Sequence, residues 1–194
     1  MIFGFIINLI TTEYIMRIIV GLGNPGEEYS KTRHNVGWLV LDAILGKVRW
    51  SLNKKWNALV YEQGGDIYVK PQTFMNNSGM ATTAALNYYH LLPKTMGLFS
   101  QKDSDLSQAL TVIHDDLDVD LGKIKVAVGS RSAGHNGVQS IINHTKTLNF
   151  KRIRVGIRTA DRERIPADKF VLGRLKAEEL KEIERLIEDI RKEI

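Results

Sequence analysis

Short β-branched runs that break off into polar turns, with helix-period segments between them, constrain this chain more than any other feature. Arg17–Val20 reads as a buried strand ended by the turn Gly21-Leu-Gly-Asn-Pro-Gly26. From Asn35 to Lys47, the residues Val36, Leu39, Val40, Ala43 and Ile44 recur at helical spacing. Trp56–Gln63 and Ile67–Lys70 predict a β pair across Gly64-Gly65-Asp66. Asn77 or Ser78 can cap a helix that runs to Leu92 and is stopped by Pro93. Leu110–His114 is a further strand, and Lys123–Val128 and Lys151–Ile157 alternate basic with apolar residues, so that one face of each should be wet. A helix follows Gly137. From Ala177 onward, Leu180, Ile183, Leu186, Ile187 and Ile190 form an amphipathic stripe, with Glu178–Glu182 repelling and Glu188–Lys192 attracting at i,i+4. This alternation, without repeats or low-complexity tracts, predicts an α/β fold. It should be a single domain with a mixed, mainly parallel sheet and helices on both faces.

The bulk numbers agree with one domain. The chain has 194 residues, 43% of them hydrophobic and 25% charged, which argues against disorder and against a membrane protein. Cysteine is absent, which excludes disulfides, thiolate catalysis and Cys-based zinc sites and fits a reducing compartment. A net charge of +5 suits a polyanionic partner without requiring one. The apolar stretch within residues 1–15 is too short to span a bilayer and lacks the basic start and cleavage site of a signal peptide. It reads as an upstream start before Met16 or as an N-terminal extension, with residues 16–194 as the domain. Lys94–Gln108 is polar and aperiodic and reads as a surface insertion.

Gly21 to Gly26 also matches the G-x-G-x-x-G dinucleotide fingerprint, and Asp42 falls about twenty residues on, where a ribose-binding acid is expected. Pro25, however, removes one of the N–H groups such a loop needs. The helix opens only near Asn35, and Asp42 lies inside it rather than at a strand end. A tight turn that projects Asn24 over the sheet edge is the better reading.

Four polar segments follow apolar ones: Asn24-Pro25-Gly26 leading to Thr32-Arg33-His34-Asn35, Pro71 to Gly79, His114 to Asp118, and Ser132 to Gly137. Ligands of α/β sheets bind outside the carboxyl ends of strands, so these segments can converge. Taken singly, each residue has an ordinary use. His34 can start a helix. Asp115 and Asp116 can form turns, cap helices or bind a metal. Asn76, Asn77 and Asn136 can cap helices. Four such segments on one sheet shift the balance towards a site.

The runs Val20-Gly-Leu-Gly-Asn-Pro-Gly-Glu-Glu-Tyr29, Thr32-Arg-His-Asn-Val-Gly37, Pro71-Gln-Thr-Phe-Met-Asn-Asn-Ser-Gly79, Val112-Ile-His-Asp-Asp-Leu-Asp118, Gly134-His-Asn-Gly137, Arg152-Ile-Arg-Val-Gly-Ile157 and Phe170-Val-Leu-Gly173 resemble bacterial peptidyl-tRNA hydrolase. The likeness covers roughly Met16 to Ile190 in the family's order. It implies a monomeric cytoplasmic α/β enzyme that recycles tRNA without cofactor or metal. Its partner would be peptidyl-tRNA, engaged at the acceptor stem and 3′ end, with no membrane involved.

No G-x-S-x-G elbow occurs, so water with a general base is the chemistry to look for. His34 suits the base near neutral pH, and Asp115 suits the group that fixes its tautomer. The pair resembles the family's catalytic histidine and aspartate. By the same resemblance Asn24, Asn76 and Asn136 contact the substrate, and the main oxyanion donor among them is open. Tyr29 and Met75 match positions that line the cleft, for which plain packing is nearly as good an account. Lys125, Arg131, Arg152 and Arg154 are candidates for tRNA phosphates, against the reading that they are solvated surface charges.

Three features depart from the family pattern: the 94–108 stretch, Ala127 where a basic residue is common, and an end at Ile194 where relatives continue into a helical segment over the cleft. A non-catalytic RNA-binding relative of this fold is the alternative, since fold does not fix function.

Overall fold

The structure is a computed structural model that describes residues 16–95 and 99–194. The expectation for residues 1–15 falls outside the described residues, as do residues 96–98 of the 94–108 stretch.

Strands β1 (Arg17–Gly21), β2 (Ser51–Asn53), β3 (Ala58–Gln63) and β4 (Asp66–Pro71) precede a small hairpin of β5 (Lys94–Thr95) and β6 (Phe99–Ser100). Strands β7 (Leu110–Asp120), β8 (Ile124–Ala127) and β9 (Lys151–Arg158) follow. Seven of these form one sheet in the order β2-β3-β4-β1-β7-β9-β8. The central β4-β1-β7-β9 block is parallel, and β2, β3 and β8 are antiparallel additions at the edges. The β3–β4 turn is Gly64-Gly65, both at positive φ, which matches the right-handed twist of a hairpin.

Helices α1 (Val36–Leu45), α2 (Ser78–Tyr88), α3 (Asn136–Thr145), α4 (Ala167–Leu172), α5 (Ala177–Arg185) and α6 (Ile187–Glu193) cover both faces. Side chains of a strand alternate between the faces. Ile18, Val20, Val69 and Val112 therefore join a core with Ala81, Ala85, Val138 and Ile141 of α2 and α3. Ile19, Ile113, Ile153 and Val155 join the other core, with Val40 and Leu41 of α1 and with Ile183, Ile187 and Ile190. Gly37 lets α1 settle onto the sheet: a Cβ there would lie 2.4 Å from the carbonyl oxygen of Ile113 and from the Leu22 nitrogen.

Several boundaries differ from the sequence expectation. Helix α2 ends at Tyr88 rather than Leu92. His90 adopts a left-handed φ of 56°, and the Leu91 N–H donates to the Leu86 carbonyl, so a Schellman-type closure ends the helix before Pro93. Neither Asn77 nor Ser78 caps α2 through its side chain; the Ser78 hydroxyl donates to the Met75 carbonyl instead. The C-terminal stripe is split at Leu186 into α5 and α6, and Lys192 pairs with Asp189 rather than Glu188. The 94–108 stretch is not merely a surface insertion. Leu106 is 1% exposed in the core, its N–H donates to the Asn149 carbonyl, and the Ser104 carbonyl accepts from Thr147. One anchoring leucine leaves no periodicity for sequence reading to find.

Strand β7 does not stop at His114. It carries Asp115 and Asp116 within the ladder, opposite Val155 and Gly156, and turns irregular only towards Asp120. The third polar segment is therefore strand rather than loop. Aspartates read as turn formers, yet here partners from other elements satisfy both carboxylates, so the ladder can continue through them.

Candidate active site

The turn Gly21–Gly26 leaves β1 at its carboxyl end, and two of its N–H groups are consumed within the protein. The Leu22 N–H donates to the Ile113 carbonyl, and the Asn24 N–H donates to Oδ1 of Asn35. Asp42 is paired with Lys70. With the Leu22 and Asn24 amides and Asp42 engaged in this way, the geometry agrees with setting the dinucleotide reading aside.

Asn35 returns a second bond, from Nδ2 to the Asn24 carbonyl, at 3.0 Å. This two-way clasp joins the glycine-rich turn to the short 3₁₀ turn Arg33–Asn35 that carries His34. The same turn is held from the other side by the C-terminal segment. The Arg33 N–H donates to the Gly173 carbonyl, and its guanidinium, stacked on Phe170, donates to both oxygens of Glu179 at 2.7 and 2.9 Å. Arg33 and Glu179 are both buried, so neither charge has water to fall back on if the other is lost.

His34 and Asp115 meet at the carboxyl end of the sheet. Nδ1 of His34 lies 2.9 and 3.1 Å from the two oxygens of Asp115. Asp115, 2% exposed, receives a second histidine: Nε2 of His135 lies 3.0 Å from Oδ1. His135 is the N-cap of α3, and its Nδ1 accepts the N–H groups of Gly137 and Val138. A nitrogen that accepts two amides carries no proton, so the ring proton sits on Nε2 and is donated to Asp115. His34 faces the same carboxylate and presents Nδ1–H to it. Nε2 of His34 therefore holds a free lone pair, with no bond among the described residues.

The electrostatics follow from this arrangement. Burial alone would lower the His34 pKa, but the charge of Asp115 and its hydrogen bond outweigh burial and raise it above 6.5. Burial would raise Asp115, but the two histidines override it and hold the carboxyl well below the usual range. His114, fully buried on the opposite face of β7, is pushed down to about 3 by burial and then by His135. It stays neutral, sits edge-on to the His135 ring at 4.7 Å, and lies 2.7 Å through Nδ1 from the Asp115 carbonyl.

His34, Asp115 and His135 could offer three ligand atoms to a metal ion. Hydrogen bonding disfavours this use. A metal on Nε2 of His135, with Nδ1 still accepting two amides, would leave the ring with no proton at all. The arrangement suits proton sharing better.

A cavity of about 410 Å³ opens over the pair. His34, Asp115, Asp118, His135 and Asn136 line it from the sheet side, with Arg162, Asp168 and Val171 across from them. Asn24, Tyr29, Met75 and Asn76 are not among its lining residues; Asn24 is buried behind the His34 turn, with Oδ1 accepting the Met75 N–H at 2.8 Å. That bond fixes the amide, so Nδ2 is its outward donor. Asn76 is exposed and its side chain makes no hydrogen bond among the described residues; Asn136 is exposed at the start of α3. Tyr29 is half-buried in the turn before Thr32, and its carbonyl accepts from the Thr32 hydroxyl. Met75 is buried against Gly137, where a Cβ would lie 2.4 Å from the Met75 sulfur, so packing accounts for it.

The basic candidates divide. Lys125 and Arg131 are exposed. Arg154 is ion-paired to Asp116 at 2.5 Å. Arg152 does not lie on a wet face as expected. It is 2% exposed, donates to the Arg131 carbonyl and packs near Phe150. Its alternation with apolar neighbours is real, but the 129–134 loop and α3 cover that face.

Sequence reading left two residues without a role. For His135 the only signal is its place in Gly134-His-Asn-Gly137 ahead of a helix: the sequence points to a helix after Gly137 with Asn136 as cap, whereas α3 begins at Asn136 and makes His135 the cap. Asn35 carried no such signal, since nothing local reveals a side chain that reaches back eleven residues.

Residues 18–194 match the family model described as peptidyl-tRNA hydrolase. The peptidyl-tRNA hydrolase of Metamycoplasma arthritidis is 39% identical over 90% of this chain and 87% of that protein. The one from Fusobacterium nucleatum is 38% identical over 90% of this chain and 85% of that protein. A crystal structure of peptidyl-tRNA hydrolase from Acinetobacter baumannii superposes with a TM-score of 0.71 at 30% identity, covering 89% of this chain and 83% of that one.

Proposed function

The chain belongs to the peptidyl-tRNA hydrolase family, and from that premise we propose that it hydrolyses the ester of peptidyl-tRNA with His34 as the general base. The free Nε2 of His34, backed by a buried Asp115 and open to the cavity, carries this reading. Nε2 takes a proton from water, and the hydroxide adds to the ester carbonyl. Asp115 stabilises the imidazolium so formed. The tetrahedral oxyanion then collapses and expels the ribose oxygen, which takes the proton back from His34, leaving a free peptide and tRNA.

Asn24 is the most firmly oriented candidate for the oxyanion donor, because its amide is already held by the Met75 N–H, whereas Asn136 is the asparagine that lines the cavity itself. Asn76 and Asn136 have free amides suited to the peptide backbone and the terminal nucleotide, and Tyr29 is a further substrate contact on the family likeness alone. Lys125 and Arg131, with Arg154 sharing its charge with Asp116, are the phosphate contacts for the acceptor stem. On the family likeness, the proposed working form is a monomer. The reaction belongs in the cytoplasm, where its substrate arises, and the absence of cysteine fits that setting.

The test is hydrolysis of an N-blocked aminoacyl-tRNA by wild type and His34→Ala. Equal rates would remove His34 as base. A wild type that binds tRNA without cleaving it would leave the non-catalytic RNA-binding reading. Substrate binding should also weaken steeply with salt, and a flat response would sink the phosphate contacts.

A further inference from the structure

The cations of the two sheet edges are used differently. At the β8–β9 edge most are committed: Arg154 to Asp116, Arg158 and Lys123 to Asp120, Lys151 to Glu193, with Arg152 buried. At the other edge, Arg49, Lys54 and Lys55 are exposed and make no ion pair among the described residues. They border a groove of about 740 Å³, larger than the cavity over His34. Its one acid, Glu62, accepts from the Tyr89 hydroxyl.

The groove is also aromatic. Trp56 forms its floor, with Tyr88 and Tyr89 edge-on to it at 5.3 and 5.9 Å. Tyr88 is 64% exposed and Leu52 56% exposed, and neither is covered. The rim is built rather than loose: Oδ1 of Asn53 accepts the N–H groups of Lys55 and Trp56, and Asn57 takes a left-handed φ of 50°. This turn adjoins the site, since the Asn57 carbonyl accepts the Gln72 N–H at the start of the segment that leads to Asn76.

We propose that this groove is a second RNA-binding surface, which holds an unpaired stretch of the tRNA substrate. It rests on the reading of the chain as a peptidyl-tRNA hydrolase. Arg49, Lys54 and Lys55 meet phosphates, and Tyr88 offers a face on which a base stacks. Free positive charge beside exposed aromatic rings fits a polynucleotide strand, whose charge is regular and whose bases all have a stacking face. Six strand spacings, roughly 29 Å, separate this edge from Lys125, so the two surfaces meet different parts of the RNA.

The test measures binding of deacylated tRNA to the full chain across a salt series. Combined Arg49→Ala, Lys54→Ala and Lys55→Ala should weaken binding at least about tenfold and reduce the log–log salt slope by about 2–3. Tyr88→Ala should weaken it about 5- to 100-fold. Hydrolysis of an N-acetylaminoacyl-adenosine, which lacks phosphates, should be unchanged in both variants. Unchanged tRNA affinity and slope would overturn the proposal. So would a parallel loss on the adenosine ester, or a loss confined to binding of an acidic peptide. Should wild type bind tRNA through this groove yet cleave no ester, the hydrolase reading falls and the groove assignment stands.

Discussion

Two turns bring a histidine to the same carboxylate, and they finish differently. The Thr32–Asn35 turn delivers His34 to Asp115 at 2.9 Å, and the Ser132–Asn136 turn delivers His135 at 3.0 Å. By those distances alone the two rings are equivalent. Their second nitrogens are not. That of His135 accepts two amides at the start of α3, whereas that of His34 is free and borders the cavity. A histidine beside an aspartate is therefore not enough to name a base; what the far side of the ring does decides it.

The sharpest way to break the comparison is Asp115→Asn, which removes the anchor of both rings. An amide that donates back to His34 favours the wrong tautomer, and hydrolysis should fall roughly 10⁴-fold, as at an aspartate in the same role in serine proteases. His34→Ala should cost about 10²–10⁴-fold in kcat/KM. His135→Ala should cost about 10- to 100-fold, the worth of one hydrogen bond to a charged group. It should also destabilise the fold by about 1 kcal/mol, the usual value of a helix cap, measurable by urea unfolding. If His135→Ala proves as damaging as His34→Ala, the two rings share one role and the distinction fails.

The smallest effect is a shift along the pH axis. The base works unprotonated, so kcat/KM should rise with pH through a midpoint above 6.5, the ordinary histidine value. The residual activity of Asp115→Asn should titrate lower, because burial then acts on His34 unopposed. The sign for stability is opposite. A folded-state pKa raised above the unfolded value means that the His34–Asp115 attraction stabilises fully below about pH 6.5. It is lost as pH climbs through the folded value. Unfolding midpoints that rise over that window would contradict the raised pKa.

Much of this was legible in the residues. The strand and helix order and the two-faced core follow from periodicity in runs such as Arg17–Val20 and Val36–Ile44. The site residues stood out because polar side chains collected where a core would refuse them. What escaped reading was long-range. Asp115 reads as a turn former unless one knows that two histidines will satisfy it within a strand. Arg152 and Arg154 share an alternating pattern, yet one is roofed over and the other ion-paired, and only the packing of the 129–134 loop separates them. The Arg33–Glu179 pair spans 146 positions, and no local pattern links its ends.

That last span has a consequence in time. While it is being made, this chain is itself a peptide joined to tRNA, the kind of molecule it cleaves. His34 and its near neighbours leave the ribosome well before Gly173 and Glu179, which brace the turn that seats them and of which Glu179 lies 146 positions beyond Arg33. The nascent chain thus carries its proposed catalytic residues through the synthesis of that whole interval without the brace that holds them in place, and the site is completed only once the Glu179 segment has been made.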